Sequence, residues 1–477
     1  MWFRRDLRLD DNSALGAAVT ASGGNVVCLY VLEEMQEGRA MGAATQWWLD
    51  KSLRALASDL EKIGGRLLLR SGKAKEILDQ VITETGAKAV FWNRRYEQPG
   101  RDIDTEIKSH LKDRGISAES FNGSVLTEPW SQKAGSGGYY KVYSPYWRSV
   151  QANYQMPPRI AAPAQLNSPT VRSEELSEWK LHPTRPDWSK GFNALWTPGE
   201  AGAKARLARF LDGGVSVYKD DRNRPDLEDG TSGLSPHLAF GEISPAQIWR
   251  ATKSKMDAGE IDEKGGHHFL SEVVWRDFSY VLLYHNPDLA TENFKPDFNL
   301  MPWREDREDL IAWQKGLTGY PIVDAGMRQL WHTGWMHNRV RMIVASFLTK
   351  HLLIHWRHGE EWFWDTLVDA DPASNSASWQ WTAGSGADAA PYFRVFNPIT
   401  QGEKFDKSGD YVRKWCPELA RLPRKYLYQP WEAGPFILHE AGIKLGETYP
   451  LPIIDHKAGR ERALAAYATL KERREAA

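Results

Sequence analysis

Cysteine is scarce in this sequence of 477 residues, since only Cys28 and Cys416 are present and they lie in different halves of the chain. Neither belongs to a Cys-x-x-Cys motif, which excludes a disulfide-rich scaffold and favours a reducing compartment. No apolar run approaches the roughly 18 residues of a membrane-spanning helix, and the first residues contain no apolar signal core. We therefore expect a cytoplasmic protein that does not associate with membranes.

An excess of charge of either sign is absent as well, because 61 Lys and Arg balance 62 Asp and Glu to a net charge of -1. A globally basic nucleic-acid-binding surface is thereby excluded, whereas a local basic patch is compatible with this balance. The sequence also contains neither a GxGxxG turn nor a Walker loop. Any nucleotide ligand must therefore be held in another way.

Short apolar runs alternate with helical patterns in the first part of the chain. Residues 26–31, 66–69 and 89–92 are mostly apolar, and residues 48–63 have leucine and tryptophan at helical spacing before Gly64-Gly65. This is a βαβ pattern, which predicts a mainly parallel sheet. The first part should therefore be an α/β domain.

The composition changes twice along the rest of the chain. From about residue 129 to residue 198 it shifts to Pro, Ser and scattered Trp, which is typical of a linker lying over the surface. Beyond residue 199 helical patterns dominate, and residues 339–353 carry a single apolar stripe. We expect an α/β domain over residues 1–128, a long linker over 129–198 and an all-α domain over 199–477.

Tryptophan is abundant, and 11 of the 22 Trp residues fall between Trp303 and Trp431. The same region holds the segments 335–338 (WMHN), 369–375 (DADPASN) and 379–381 (WQW). Large aromatic faces beside amides and carboxylates suit a flat conjugated ligand, a stacked base or electron transfer between rings. The alternatives are core packing for the tryptophans and helix capping for the Asp-x-Asp pair. A metal site is disfavoured, because no His or Glu ligand set accompanies the two aspartates.

Four segments together resemble the photolyase/cryptochrome flavoproteins: 2–8 (WFRRDLR), 231–236 (TSGLSP), 275–278 (WRDF) and the block 318–405. The resemblance covers essentially the whole chain. It implies an N-terminal α/β antenna domain, a linker and a C-terminal helical domain that binds FAD. The chain begins slightly inside the first strand of that family, so we expect this strand to be short.

The resemblance implies a set of FAD contacts. By their own chemistry Thr231, Ser232 and Ser235 place hydroxyl and N–H groups at a predicted helix start, which can hold a pyrophosphate or merely cap the helix. The family's FAD-binding positions correspond here to Tyr218, Thr231, Ser232, Gly233, Leu234, Ser235, Glu272, Arg276, Trp335, Asn338, Arg341, Asp369, Ala370, Asp371 and Asn375. Arg276 could instead form an i,i+4 ion pair with Glu272.

Asn375 corresponds to the position near flavin N5, which is Asn in DNA-repairing members of the family and Asp in plant cryptochromes. A neutral amide supports the fully reduced anionic flavin, whereas a carboxylate favours a protonated semiquinone. This residue therefore favours a repair enzyme over a plant-type signalling photoreceptor.

Five residues match the family's pocket for a cyclobutane pyrimidine dimer. Two aromatic walls can sandwich a flipped lesion, a carboxyl group and an amide can bind its edges, and a thioether can fill the gap. These predicted catalytic residues are Glu272, Trp275, Asn338, Met342 and Trp381. Two of the three histidines of (6-4) photolyases are absent from the segment 335–342, which disfavours (6-4) repair.

Two further sets follow from the resemblance. Trp379, Trp356 and Trp303 correspond to the electron-transfer triad, in that order away from the flavin. Arg222, Arg339 and Arg394 correspond to DNA-binding arginines that contact phosphates around the flipped nucleotide, and such a local basic rim supplies affinity without sequence preference.

The function that these expectations support is light-driven repair of cyclobutane pyrimidine dimers in UV-damaged DNA by electron transfer from excited FADH⁻. A blue-light photoreceptor of the cryptochrome type is the alternative, whereas a light-independent flavin oxidoreductase lacks a nicotinamide fingerprint. The antenna chromophore expected is methenyltetrahydrofolate with Glu106 as a contact, and a deazaflavin is the other option. We expect a monomer of the class III branch.

Overall fold

The computed structural model describes residues 1–33, 39–135, 137–392 and 394–476. The first part is an α/β structure in which every strand pair is parallel: β1, β2 and β3 form one sheet, and β4 and β5 form a second. The strands are β1 (Trp2–Phe3), β2 (Cys28–Glu33), β3 (Leu67–Gly72), β4 (Ala89–Asn93) and β5 (Ser117–Phe121). The predicted parallel sheet is confirmed, and β1 has only two residues, as expected.

Helices account for most of the remaining structure. They are α1 (Ser13–Ser22), α2 (Ala43–Lys62), α3 (Ala74–Thr85), α4 (Gln98–Asp113), α5 (Tyr143–Asn153), α6 (Phe192–Leu195), α7 (Glu200–Arg209), α8 (Val215–Asp221), α9 (Ser235–Ala239), α10 (Pro245–Asp257), α11 (Glu263–His285), α12 (Arg307–Lys315), α13 (Pro321–Thr333), α14 (Asn338–Ser346), α15 (Trp356–Thr366), α16 (Pro372–Ala383), α17 (Pro398–Phe405), α18 (Asp410–Trp415), α19 (Pro435–Ala441) and α20 (His456–Ala476). The predicted helical second part is therefore confirmed.

Helix α2 shows how sequence pattern and structure agree in the α/β part. Its leucines recur on one face and are buried against the sheet, together with Trp47 and Trp48. The helix ends at Lys62, and Gly64 turns the chain with a φ of 80°. A left-handed backbone of this kind is easily adopted by glycine, which explains the stop at Gly64-Gly65.

Three long or central helices frame the helical part. Helix α11 has 23 residues and carries several of the predicted site residues. Helix α16 packs against both α11 and α14. The predicted stripe of α14 is buried, and a π-helical turn at Phe347–His351 extends this helix. A π turn shifts the side chains that follow it, which the regular 3.6-residue pattern did not predict.

The region interpreted as a surface linker contains a helix that packs into the structure. Tyr143, Tyr146 and Val150 of α5 are buried, and α5 lies against α11. These residues follow the i, i+3, i+7 spacing of a helix face, which the surrounding Pro and Ser obscured. The interpretation of residues 129–198 as a linker lying over the surface therefore does not describe α5, which has a buried face.

Two further features concern membrane-spanning helices and the cysteines. Within the described ranges, no helix has both the length and the apolar character required to cross a membrane. Both cysteines are free and buried, with one in each part of the chain.

Candidate active site

A cavity of about 740 Å³ lies among α8, α9, α11, α14 and α16. Its size is that of a site for a large organic ligand. The predicted site residues that line it are Tyr218, Arg222, Ser232, Leu234, Ser235, Glu272, Trp275, Arg276, Asn338, Arg339, Arg341, Met342, Asp369, Ala370, Asp371, Asn375, Trp379 and Trp381. Residues that are far apart in the sequence thus meet around one space.

The remaining predicted residues lie outside this lining. Thr231 and Gly233 flank lining residues, and Trp335 lies behind Ser235, with its indole Nε1 donating to the Ser235 hydroxyl at 3.4 Å. The other predicted residues outside the lining are Trp356, Trp303, Arg394 and Glu106. The last of these lies on the exposed face of α4.

Asp369 lines the cavity and, within the described part of the chain, has one carboxylate oxygen with a protein partner and one without. Its Oδ2 accepts a hydrogen bond from Arg341 Nη2 at 2.8 Å, while its Oδ1 is buried and has no hydrogen-bond partner within the described residues. A buried unpaired oxygen is costly unless a ligand satisfies it. Asp369 is therefore held in place by Arg341, while its second oxygen is buried without a partner among the described residues.

Asp371 has a different role from Asp369. It is the N-cap of α16, with Oδ1 accepting from the amides of Ala373 at 3.0 Å and Ser374 at 2.8 Å. Its Oδ2 accepts from the Tyr280 hydroxyl at 2.8 Å. The capping alternative is thus confirmed for Asp371, whereas Asp369 pairs with Arg341.

Arg276 faces the cavity beside Asp371. Its Nη2 lies 3.6 Å from Asp371 Oδ2, and its Nη1 donates to the carbonyl oxygen of Ser124. Glu272 instead accepts from Arg222, the residue that follows α8. The alternative of an i,i+4 pair between Arg276 and Glu272 is therefore wrong, because each side chain has a partner on another element.

Asn375 is held by a carboxylate that the sequence did not indicate. Its Nδ2 donates to the backbone oxygen of Glu360 at 3.0 Å and to the Glu360 carboxylate at 2.7 Å. The carboxylate also accepts from Arg39, at 2.7 and 2.8 Å. Burial raises the pKa of Glu360, and the Arg39 guanidinium opposes this shift. Since both amide hydrogens are used, Asn375 has only its oxygen left for a ligand.

The segment before α9 approaches the cavity closely. Gly233 has a φ of 61°, and a Cβ atom there would lie 2.3 Å from Nη1 of Arg206. Leu234 is buried, and α9 begins at Ser235 as predicted. The left-handed backbone favours glycine at this position, whereas the end of the flexible Arg206 side chain could move away, so the tight turn that presents Ser232 and Ser235 depends on the backbone conformation of Gly233.

The predicted lesion-binding residues form another part of the cavity wall. Trp275 stacks on Tyr143 with ring centroids 3.6 Å apart and planes 12° from parallel. The Tyr143 hydroxyl bonds to Ser271, so its ring is fixed. Asn338 is exposed, and its side chain has no protein hydrogen bond within the described ranges. The wall therefore combines a rigid aromatic face with a free amide.

Two of the three predicted DNA-binding arginines lie at the cavity. Arg222 contacts both Glu272 and His268, and Arg339 donates to Asn223 Oδ1 at 2.6 Å. The side chain of Arg394 is exposed on a separate segment. Its backbone oxygen accepts from the buried Lys350 at 3.0 Å, which ties that segment to the π turn.

The predicted electron-transfer tryptophans run from the cavity into the helical part. Trp379 lines the cavity, and a Cβ atom at Gly359 would lie 2.1 Å from its Cη2. Trp356 lies one turn before Gly359 on α15 and is fully buried. His355 lies between Trp356 and Trp303, with ring centroids 5.5 and 5.1 Å away. The absent side chain at Gly359 thus lets Trp379 pack against the helix that carries Trp356.

His337 does not have the properties of a catalytic acid. Its Nδ1 accepts from the amide of Arg339 at 3.1 Å and caps α14. Burial, together with the charges of Arg339 and Arg341, lowers its pKa to about 3. A neutral capping histidine agrees with the sequence argument against His-based acid chemistry.

Among the described residues no group of His, Cys, Asp and Glu could hold a metal ion. The side chains that sequence reasoning missed are Tyr143, His268, Glu360 and Arg39. Tyr143, His268 and Glu360 each contact a predicted residue from another element, Arg39 contacts Glu360, and no local pattern marks any of the four.

Comparisons with known proteins place these observations in a family. The family model described as "DNA photolyase" matches residues 1–165, and the one described as "FAD binding domain of DNA photolyase" matches residues 269–469. A deoxyribodipyrimidine photo-lyase of Agrobacterium fabrum is 54% identical and spans 99% of this chain and 98% of its own length. Cryptochrome-1 of Arabidopsis thaliana is 37% identical over 95% of this chain, but over only 68% of its own length.

Solved structures agree with the sequence relatives. A bacterial class III photolyase from Agrobacterium tumefaciens superimposes with a TM-score of 0.95 at 55% identity, covering 99% of this chain and 97% of its own. A cryptochrome of Synechocystis gives a TM-score of 0.89 at 30% identity, with 98% of both chains covered.

Proposed function

The chain belongs to the DNA photolyase family, and from this premise we propose that it splits cyclobutane pyrimidine dimers in DNA under blue light. The 54% identity to a deoxyribodipyrimidine photo-lyase over nearly full length supports a repair enzyme, and the match to a class III photolyase confirms the expected branch. The observation that carries the proposal is a single cavity. Its lining includes the predicted dimer-pocket residues as well as Asn375 and Asp369.

The residues present fit FAD, whose binding domain the family model identifies. We assign the isoalloxazine edge to Asp369 and Arg276, and the phosphates to the turn at Ser232 and Ser235. A cavity of about 740 Å³ suits a cofactor of this size. When bound and reduced, FAD supplies on illumination the electron that opens the cyclobutane ring, and the electron returns after ring opening.

The protein's own contribution is to bind and orient the lesion. Trp275 and Trp381 provide aromatic faces for a flipped dimer, and Met342 fills the space between them. Asn338 offers both a donor and an acceptor to the base edges. Flipping a damaged pair costs a few kcal/mol, less than for an intact pair, which favours the lesion.

Arg222 links lesion binding to DNA binding. In the structure its guanidinium contacts Glu272. A DNA phosphate at Arg222 would compete for that guanidinium and leave the Glu272 carboxyl group free for the lesion. We propose this exchange of partners as the step that readies Glu272 when DNA binds.

A second candidate function is a blue-light photoreceptor. It is favoured by the TM-score of 0.89 to the Synechocystis cryptochrome and by the 37% identity to an Arabidopsis cryptochrome. The amide at residue 375 favours repair, because the plant photoreceptors have a carboxylate there. Light-dependent loss of dimers separates the two functions.

Some finer assignments complete the proposal. We propose domain limits of 1–128, 129–198 and 199–477, a monomer bound to UV-damaged DNA, and a cytoplasmic location consistent with two free buried cysteines. Methenyltetrahydrofolate is the antenna proposed, with Glu106 as a contact. The Glu106 carboxylate lies on the exposed face of α4, and one of its oxygens is 2.8 Å from Lys75 Nζ. An absorption spectrum of the purified protein tests the antenna, because a folate adds a near-ultraviolet band to those of the flavin.

The experiment that tests the function is chromatography of an irradiated oligonucleotide that contains both cyclobutane dimers and (6-4) products. Reduced protein should restore the cyclobutane dimers to pyrimidines in blue light, leave them intact in the dark, and leave the (6-4) products unchanged. No light-dependent loss of the dimers would refute the proposal and favour the photoreceptor.

A further inference from the structure

A second pocket of about 380 Å³ lies at the rim of the large cavity. It shares two lining residues, Lys219 and His268, with the cavity wall. Ser271, which also lines it, immediately precedes Glu272 and bonds to the tyrosine that supports Trp275. The second pocket is therefore continuous with the dimer-binding wall.

The charge of this rim pocket is mainly positive. Lys219 on α8 and Lys264 and His267 on α11 are exposed, and within the described residues none of them forms an ion pair. Glu263 is the one carboxylate in its lining. Lys255, in contrast, pairs with Asp212 at 2.8 Å. Two lysines against one carboxylate give this concave surface a net positive charge, which favours a negatively charged ligand.

One wall of the rim pocket is aromatic. Trp147 on α5 packs edge-on against Trp249, with ring centroids 6.3 Å apart, and is partly exposed. A held indole beside lysines is the combination that binds single-stranded nucleic acid, since the ring packs on a base or sugar and the cations bind the phosphate.

We propose that the rim pocket binds a phosphodiester of the damaged DNA strand outside the dimer, with Lys219, Lys264 and His267 contacting the phosphate and Trp147 packing on the adjoining nucleoside. This site rests on the proposed function and extends it, because it assigns a length requirement to the substrate. The dimer lies in the large cavity together with the flavin, and the flanking nucleotide lies in the rim pocket.

The test compares two substrates that differ in the flanking phosphate. A dimer-containing dinucleotide has no phosphodiester beyond the dimer, whereas a dimer-containing duplex oligonucleotide has one. Lys264→Ala should weaken binding of the oligonucleotide roughly fivefold and lower the slope of log affinity against log salt by about 0.9. Repair of the dinucleotide should be unchanged.

Matched variants make the result specific. Glu263→Gln removes the carboxylate of the pocket and should strengthen oligonucleotide binding, the opposite sign to Lys264→Ala. Lys112→Ala removes an exposed lysine of α4 and should change neither property. Trp147→Ala should weaken the oligonucleotide with an unchanged salt slope, and circular dichroism checks that it folds.

Three outcomes would overturn the site. If Lys264→Ala binds the oligonucleotide with the salt dependence of wild type, Lys264 does not contact a phosphate. If the variant loses repair of the dinucleotide as much as it loses binding of the oligonucleotide, Lys264 acts in the dimer cavity instead. Lys264-dependent binding of a free nucleoside monophosphate that is tighter than binding of the oligonucleotide would reassign the pocket to a small ligand. If wild-type protein repairs no dimer at all, the proposed function fails, whereas the binding measurements still judge the pocket.

Discussion

The carboxylate of Glu360 lies 2.7 Å from the side-chain nitrogen of Asn375, and the backbone oxygen of Glu360 lies 3.0 Å from the same nitrogen. Both amide hydrogens are thereby directed away from the ligand. The amide oxygen alone can face the flavin, and it can accept a hydrogen bond but cannot donate a proton.

Asn375→Asp should therefore change the protonation of the flavin under light. The new carboxyl group would lie beside the buried Glu360, and two carboxyl groups at that distance share a proton. We expect illuminated Asn375→Asp protein to accumulate the protonated radical form of the flavin, measured by its visible absorption. Ser376→Ala is the matched control, because it removes only a 3.5 Å contact to Glu360. A spectrum of Asn375→Asp identical to wild type would contradict the assignment.

Trp379→Phe should block light-driven reduction of oxidised FAD and leave repair by chemically pre-reduced protein nearly intact. Phenylalanine keeps most of the packing against Gly359 but is much harder to oxidise. The measurement is the rate of flavin bleaching under blue light with an external reductant. Trp188→Phe is the control: Trp188 packs on Phe192, and the flavin of this variant should bleach at the wild-type rate. An unchanged rate of bleaching in Trp379→Phe would show that other tryptophans transfer the electron to the flavin.

Stability should depend on pH through Asp277, which accepts hydrogen bonds from the amides of Leu126 and Thr127. Burial raises its pKa to about 7, although these two amides oppose the shift. The pKa of this carboxyl group in the unfolded chain is about 3.9. Between about pH 4 and pH 7 the folded state therefore binds one proton more than the unfolded state, and stability falls as the pH rises. Above pH 7 this contribution is flat.

Asp277→Asn isolates that contribution, because it cannot titrate. Its free energy of unfolding relative to wild type should rise by about 1.4 kcal/mol per pH unit between about pH 5 and pH 7. Chemical denaturation of the FAD-loaded proteins at several pH values gives the difference. A difference that does not vary with pH would show that Asp277 is already ionised at pH 5.

Two variants should separate general DNA affinity from dimer recognition. Arg394→Ala removes an exposed cation outside the cavity, so damaged and undamaged duplexes should weaken alike, with the salt slope lowered by about one. Trp381→Ala should lose about 1–3 kcal/mol of dimer preference, the usual value for a stacked base. Competition binding with both duplexes measures each effect. Undiminished preference in Trp381→Ala would exclude this residue from the pocket.

Local sequence pattern was sufficient for much of the fold. The apolar runs that became β2, β3 and β4 and the glycine stop after α2 depend on neighbouring residues, so periodicity found them. Helix α5 was missed because its buried face lies within a Pro- and Ser-rich region. The division of the strands into two sheets was missed as well, because it depends on which strands pair in space.

The site was predictable only in part. Single residues such as Asn375 were found through the resemblance, whereas Glu360 lies 15 residues earlier, on another helix, and Arg39 lies in the other part of the chain. Contacts of this kind depend on how helices pack, and no spacing rule encodes them. The stack of Tyr143 on Trp275 joins segments that are equally remote.

The central claim is that the electron given to the dimer returns, so that repair consumes no reductant. The direct measurement counts the dimers repaired per flavin by fully reduced wild-type protein, illuminated without oxygen and without added reductant. Many dimers should be repaired per flavin, with the flavin still reduced at the end. Repair that stops after about one dimer per flavin, or no repair at all, would contradict the account.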